Sequence, residues 1–393
     1  MSLVTPPLSL YVHVPWCVRK CPYCDFNSHQ GRGDLPMAAY VDALLADLDF
    51  DLPLVWGRTI RTVFFGGGTP SLMPADLVDR FLQQASSRLR FAPDCEITLE
   101  ANPGTAEYGR LADYRAAGVN RLSFGVQSFD DGCLERLGRI HDSAQAEGAI
   151  RAAQDAGFAE LNLDLMYALP GQDLAMAERD VERAIALSPT HVSHYQLTLE
   201  PNTVFAARPP ERLPDDDLAW DMQERCQALL AQAGFQHYET SAYARPGHRS
   251  EHNLNYWRFG DYLGIGAGAH GKITLGGEQT ILRRWKHKHP TKYLETAGTP
   301  AAIGGDERIE PARRPFEFML NALRLHEGFS WTQFEARTGL PRRAIAASMS
   351  AAIERGWLQD DGERVSPTET GRRFTNDVLE LFLDAPIEAD IGA

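Results

Sequence analysis

"SLYVHVPWCVRKCPYCDF", residues 9–26, decides the fold. Its first half, SLYVHVPW (9–16), is an apolar, β-branched run of strand length. Three cysteines follow at once: Cys17, Cys21 and Cys24. A tetrahedral metal ion wants four ligands, and a cubic iron–sulfur cluster has four irons to hold. The next place for a fourth cysteine is position 26, which is Phe26. On spacing alone, a Cys3His zinc site with His29 or His13 as fourth ligand stays open.

The strand at 9–16 is the first of a series. RTVFFGGG (61–68), EITLEANP (96–103), RLSFGVQS (121–128), ELNLDLMYALP (160–170) and HVSHYQLTLEP (191–201) repeat it, with amphipathic segments such as MAAYVDALLADLDFDL between them. Such alternation predicts a mostly parallel sheet. Six units suit an α/β fold of the partial (β/α)6 barrel type, over residues 1–205, and LLAQAGFQHYETSAYA (229–244) extends the sheet. Active sites on these sheets lie at the C-terminal strand ends. Cys17, Gly66 to Gly68, Glu100, Gln127 and Asp164 all fall there.

Residues 206–311 read as a less regular barrel extension, rich in Gly, His, Arg and Trp. Residues 312–393 read as a C-terminal helical, winged-helix-like domain: PFEFMLNALRLHEG, WTQFEARTG and PRRAIAASMSAAIERGW, then the hairpin LQDDGERVSPTETG and a last helix. That hairpin is acidic and the third helix carries few basic residues, so no nucleic-acid partner is expected. The net charge of −14 argues the same way, because it disfavours phosphate-backbone binding. No run approaches the roughly 18 apolar residues of a membrane span, and no secretory leader is visible, so the expected location is cytoplasmic. Thiols stay reduced there. The scattered Cys95, Cys133 and Cys226 read as ordinary packing residues, and the clustered three as metal ligands.

The C-x3-C-x2-C spacing, Tyr23 between the second and third cysteines and the strand YVHVP before the first resemble the radical S-adenosylmethionine (SAM) superfamily. That resemblance implies a [4Fe–4S] cluster on Cys17, Cys21 and Cys24, with the fourth iron left for SAM. The missing ligand would then be the binding site. The resemblance also implies that GGGTP, with Gly66, Gly67, Gly68 and Thr69, receives the methionine amino group of SAM. Read alone, it is a tight turn. Glu100 in TLEANP, Gln127 in GVQSF, Arg139 in LGRIH and Asp164 in LDLMYALPGQ resemble the SAM-contacting positions of the coproporphyrinogen-dehydrogenase-like subfamily. Tyr11 and Tyr23 are placed in the same cofactor site. Without the resemblance, Glu100 and Asp164 read as helix caps and Arg139 as a surface charge.

EHNLNYWR (251–258) is similar to the HNxxYW motif of HemW-type haem chaperones, a branch of that subfamily. His252, Asn253, Tyr256 and Trp257 stand at its positions. The likeness implies haem, with His252 as iron ligand and Tyr256 and Trp257 as a wall; read alone, the segment is a satisfied polar loop. RRWKHKH (283–289) reads as a solvated basic face or as a guide for haem propionates. Within the subfamily, the dehydrogenases carry a fourth cysteine where this chain has Phe26, and an extension before the cysteine loop. Both departures favour a chaperone that passes haem to apo-haemoproteins. The alternative is an oxygen-independent coproporphyrinogen III dehydrogenase, and a zinc-stabilised nucleic-acid-binding protein is a third reading. A homodimer and a peripheral membrane contact are left open.

Overall fold

In the computed structural model, residues 1–31, 33–104 and 110–383 are described. Six parallel strands stand side by side in sequence order: β1 (Leu8–Val14), β2 (Thr59–Gly67), β3 (Arg90–Ala101), β4 (Arg121–Gln127), β5 (Glu160–Tyr167) and β6 (His191–Gln196). Helices α1 (Met37–Asp51), α2 (Ala75–Arg88), α3 (Leu111–Ala116), α4 (Ser143–Asp155), α5 (Leu174–Ala186) and α6 (Asp216–Gln232) come between or after them. α2 shows why they pack there. Val78, Phe81, Leu82 and Ala85 recur at helical spacing and are buried, while Asp76 and Arg88 suit the helix dipole at its two ends. Asp173 caps α5 by accepting the Met176 N–H at 2.8 Å.

The register aligns the strand ends. Val14 lies opposite Gly67, Glu100 opposite Ser123 and Gly125 opposite Asp164. The cysteine loop, the glycine run and the polar residues therefore share one edge of the sheet, as the sequence predicts.

The sheet is wider than the sequence suggests, with twelve strands among the described residues. The expected extension is a hairpin, β7 (Gln236–Glu239) and β8 (Ala242–Ala244), added antiparallel to β6. On the other side, β9 (Asp261–Ile265) runs parallel to β1 and is followed by a meander of β10 (His270–Leu275), β11 (Thr280–Lys286) and β12 (Ile303–Arg308). These strands carry glycine where the backbones crowd. A Cβ on Gly264 would stand 1.9 Å from the His270 carbonyl oxygen, so the composition that conceals the strand is what permits it. The helix α7 (Glu251–Trp257) lies between the hairpin and β9.

The C-terminal part contains α8 (Arg314–Ala322), α9 (Trp331–Thr338), α10 (Ala346–Glu354) and α11 (Thr375–Leu383), with a small three-stranded sheet that includes the hairpin Leu358–Asp360/Arg364–Pro367. Phe318, Phe329 and Phe334 centre its own core. Arg314 ties it to the meander by donating to the carbonyls of Thr338 (3.0 Å) and Gln279 (2.9 Å). Among the described residues, no helix is long and apolar enough to cross a membrane.

A buried ionic group fixes β11 to α1. Lys286 is fully buried, donates to Asp47, and reaches Asp51 at 2.7 Å; Arg284 also reaches Asp51, at 2.6 Å, and Tyr293 donates to Asp47 at 2.7 Å. Burial pushes the Asp47 carboxyl up even with Lys286 against it. Removing the cation leaves the buried Asp47 carboxylate without a counter-charge and Asp51 with Arg284 alone. Lys286→Met is therefore expected to lower stability by about 3–5 kcal/mol, read from the urea unfolding midpoint. A midpoint equal to that of the unaltered chain contradicts the assignment.

Candidate functional site

The cysteine loop leaves the sheet at Trp16–Cys17 and returns at His29–Gln30, and these two pairs form a short parallel ribbon. The Gly31 N–H closes it on the Cys17 carbonyl at 2.9 Å. Inside the loop the Cys24 N–H donates to the Cys21 carbonyl at 3.2 Å, a turn that brings the second and third cysteines close. All three thiols line one cavity of about 400 Å³. Tyr23, Gly67, Gly68, Thr69, Glu100, Gln127, Arg139 and Asp164 line it too. Of the sequence-predicted cofactor residues, Gly66, Tyr11, His252 and Tyr256 are not on its wall.

The glycine run explains how β2 lies against the loop. Gly67 has a φ of +116°, and a Cβ there would stand 2.6 Å from the His13 ring. A Cβ on Gly68 would stand 2.5 Å from the Trp16 carbonyl oxygen. The Gly68 N–H donates to Val14 and the Thr69 N–H to Trp16, both at 2.7 Å. The sequence suggested that these glycines admit a ligand. Their first duty is to admit the chain's own cysteine loop.

Among the charged groups on the cavity wall, Glu100, Asp164 and Arg139 are held by hydrogen bonds to the strands. Glu100 accepts from the Gly67 N–H at 3.2 Å. Burial, with Asp164 nearby, pushes its carboxyl up to about 8. Asp164 accepts from Ser123 (3.0 Å) and Asn162 (2.8 Å), and burial raises it as well, against those hydrogen bonds. Arg139 donates to Asn102 and to the Gly125 carbonyl at 2.7 Å each, and to the Cys21 sulfur at 3.4 Å. Its Nε is buried without a partner, so the group is held in place with donor capacity to spare. Gln127 adopts a φ of +69° and accepts from the Tyr195 hydroxyl at 3.1 Å. Tyr195, Asn102 and Ser123 also line the cavity and went unnoticed in the sequence; the available signal was the position of Tyr195 and Asn102 at the ends of β6 and β3, while Ser123 lies within β4 opposite Glu100.

The segment EHNLNYWR occupies the opposite end of the barrel. Ser250 caps α7, and the backbone N–H groups of Glu251 and His252 donate to Glu96 at 3.1 and 2.9 Å. His252 points inward: Nδ1 is 2.6 Å from the Thr62 hydroxyl, Nε2 is 3.1 Å from the Tyr256 hydroxyl, and the ring stacks on Phe64. Burial drives its pKa down to about 3. Asn255 donates to Ser9 and to the Asp261 carbonyl, closing the floor beneath β1. A cavity of about 440 Å³ opens at this end, but neither His252 nor Tyr256 lines it. In this structure the two side chains face each other across the barrel floor. Both ring nitrogens of His252 are engaged, and its surface is 1% exposed. Tyr11, expected in the cofactor site, lies beneath Gly66, where its hydroxyl bonds His13 Nδ1 at 3.0 Å.

The Radical SAM superfamily pattern matches residues 11–184. The HemN C-terminal domain pattern matches residues 309–374. The chain is 50% identical over 378 residues to the heme chaperone HemW of Escherichia coli K12, covering 96% of this chain and 98% of that one. It is 48% identical to the heme chaperone HemW of Haemophilus influenzae, covering 96% and 98%, and 35% identical to that of Mycobacterium tuberculosis H37Rv, covering 96% and 95%. Among solved structures, coproporphyrinogen III oxidase (HemN) of Escherichia coli superposes with a TM-score of 0.81 at 24% identity, over 96% of this chain and 90% of that one. That match speaks for the fold.

The thiol set makes a direct prediction. Anaerobic reconstitution with iron and sulfide is expected to load about four of each per chain. Replacing Cys17, Cys21 or Cys24 singly by Ala should abolish the charge-transfer absorbance, whereas Cys95, Cys133 and Cys226 should be dispensable. A preparation holding one zinc and no iron contradicts this.

Proposed function

Because the chain belongs to the heme chaperone HemW family, within the radical SAM superfamily, we propose that it binds a [4Fe–4S] cluster, SAM and haem, and delivers haem to apo-haemoproteins in the cytoplasm. The observation that carries the cofactor part is the convergence of three thiols, a glycine cradle, two buried carboxylates and a buried arginine on one cavity. Cys17, Cys21 and Cys24 would hold the cluster. When bound, such a cluster supplies one-electron chemistry. The chain's own residues would bind and orient SAM. Glu100 and the Gly67 backbone stand where an amine is received, Asp164 and Gln127 offer acceptors for hydroxyls, and Arg139 balances carboxylate and thiolate charge.

Phe26 separates this reading from the dehydrogenase alternative. It lines the cavity and remains 59% exposed at its rim. A thiol at that place could donate hydrogen; a phenyl ring cannot. Incubation of the reconstituted protein with coproporphyrinogen III, SAM and reductant, beside a haem titration, tests the function as a whole. The expected outcome is haem binding with no formation of protoporphyrinogen IX. Robust decarboxylation reverses the assignment.

A second expectation comes from Glu100. With its pKa at about 8, it is protonated in the empty cavity at neutral pH, and ionising it creates a charged acceptor for SAM. Affinity for SAM should therefore rise with pH from about 6 to about 8, by up to about tenfold per unit, and level off above. Glu100→Gln should bind more weakly and lose that component of the slope. Parallel pH profiles for the two proteins, followed through the spectrum of the reduced cluster, contradict the role.

A further inference from the structure

Behind Asp164, a line of buried side chains runs from the cavity wall to the barrel floor. Asp164 Oδ1 accepts from the Asn162 amide at 2.8 Å. The amide oxygen of Asn162 is 2.6 Å from His191 Nδ1 and also accepts from the Ser193 hydroxyl at 3.1 Å. His191 Nε2 is 2.8 Å from the Tyr238 hydroxyl. The backbone N–H of Ser250, the residue that caps α7, donates to the same hydroxyl oxygen at 3.4 Å. Asn162, His191, Tyr238 and Ser250 are all buried, and none of them lines the cavity. The pairing of β5 with β6 sets the line, with Asn162 opposite His191 and Asp164 opposite Ser193. Its chemistry leaves one direction for the protons. A reversed Asn162 amide would set its oxygen against the Asp164 carboxylate. With the amide oxygen toward His191, Nδ1 carries the proton, Nε2 accepts from the tyrosine, and the Tyr238 oxygen accepts from Ser250.

Resting on the SAM-binding reading, we propose that His191 is a positioning residue of the cofactor site. It fixes the Asn162 amide so that Asp164 is held as an acceptor for ribose hydroxyls, and it takes its own orientation from the N-terminus of α7 through Tyr238. Three observations support this. First, Asp164 is an acceptor under strain from its surroundings. Burial raises its carboxyl, and the hydrogen bond from Asn162 is foremost among those that pull it back toward the charged form. Second, Asn162 governs both carboxylate oxygens. Ser123 donates to Asp164 Oδ2 at 3.0 Å and accepts from the Asn162 amide at 2.8 Å, so turning Asn162 disturbs the serine as well. Third, an imidazole is a costly filler at this place. Burial, with Arg121 nearby, holds the His191 pKa well below the usual imidazole value, so the ring is neutral and both its nitrogens are in use. An apolar side chain would fill the space without the cost of burying polar atoms. What the imidazole adds is direction, since a neutral ring donates at one nitrogen and accepts at the other. The helix that carries EHNLNYWR is thereby joined to the cavity at the opposite end of the barrel.

The test uses the full-length chain with its cluster reconstituted anaerobically. SAM affinity is read from the spectrum of the reduced cluster, with iron content and the urea midpoint measured beside it. His191→Leu should weaken SAM binding by about tenfold at unchanged iron content. His191→Asn, which keeps an N–H near the place of Nδ1, should recover most of that loss, and Tyr238→Phe should cost about threefold. In an Asp164→Asn background, His191→Leu should cost less than about twofold more, because the group it positions is already gone. A side chain that merely fills the core gives additive losses and no rescue. Where His191→Leu does not fold, the same cycle is run with Tyr238→Phe, which removes a single oxygen. Additive losses, full affinity in His191→Leu, or no recovery in His191→Asn overturn the role of His191 and leave the SAM reading standing. If Asp164→Asn alone keeps full affinity, the hydroxyl assignment and the role of His191 fall together. If the unaltered chain binds no SAM, the cofactor reading falls with them.

Discussion

The cavity depends on how closely the end of β2 lies beneath the cysteine loop. Two backbone hydrogen bonds, Gly68 N–H to Val14 and Thr69 N–H to Trp16, hold the two segments together at 2.7 Å. No side chain fits between them. At Gly67 the obstacle would be the His13 ring and at Gly68 the Trp16 carbonyl. His13 in turn spans from Tyr11 to the Asn27 carbonyl, so one imidazole sets the height of the loop above the sheet. The same contact decides which way the thiols face, because the loop is anchored at both ends by the Trp16–Cys17 and His29–Gln30 ribbon.

The barrel then has two ends of opposite character. At the mouth, polar groups are buried with capacity unused: Glu100 and Asp164 are held up by desolvation, and Arg139 Nε has no partner. Such groups are costly to bury, and an arrangement of this kind is usually retained for binding or chemistry. At the floor, the polar groups consume one another. Thr62, His252 and Tyr256 form a closed chain, and Glu96 is satisfied by two backbone N–H groups and by Arg121. A satisfied network of this kind rigidifies rather than reacts.

The meander beside β1 connects these ends to the outer surface. Lys286 is locked beneath the sheet by Asp47 and Asp51, and the residues immediately after it emerge against the cysteine loop. A buried ion pair contributes little net stability, but it penalises alternative registers strongly. Here it determines where His287, Lys288 and His289 come to the surface.

The sequence by itself determined the parallel sheet, its strand ends and the three thiols, because each is a local signal: apolar runs of strand length, the amphipathic segments between them, and cysteines within one loop. Cys17, Gly67, Glu100 and Asp164 were legible as strand-end residues and Arg139 only through the family resemblance, and the fold places them on one cavity wall. The strands β9 to β12 were not legible, since their glycines answer to neighbouring backbones and not to local propensity. Nor was the direction in which His252 points. The motif that carries it has the same residues whether the ring faces solvent or the barrel floor, and only packing against Thr62 and Phe64 decides that it faces inward. Asn27 is the plainest case. The carbonyls that its side chain bonds, Ala267 and Lys288, lie 240 and 261 positions away. No periodicity records a contact across that distance, so only the closure of the sheet brings the histidine-rich segment to the cysteines.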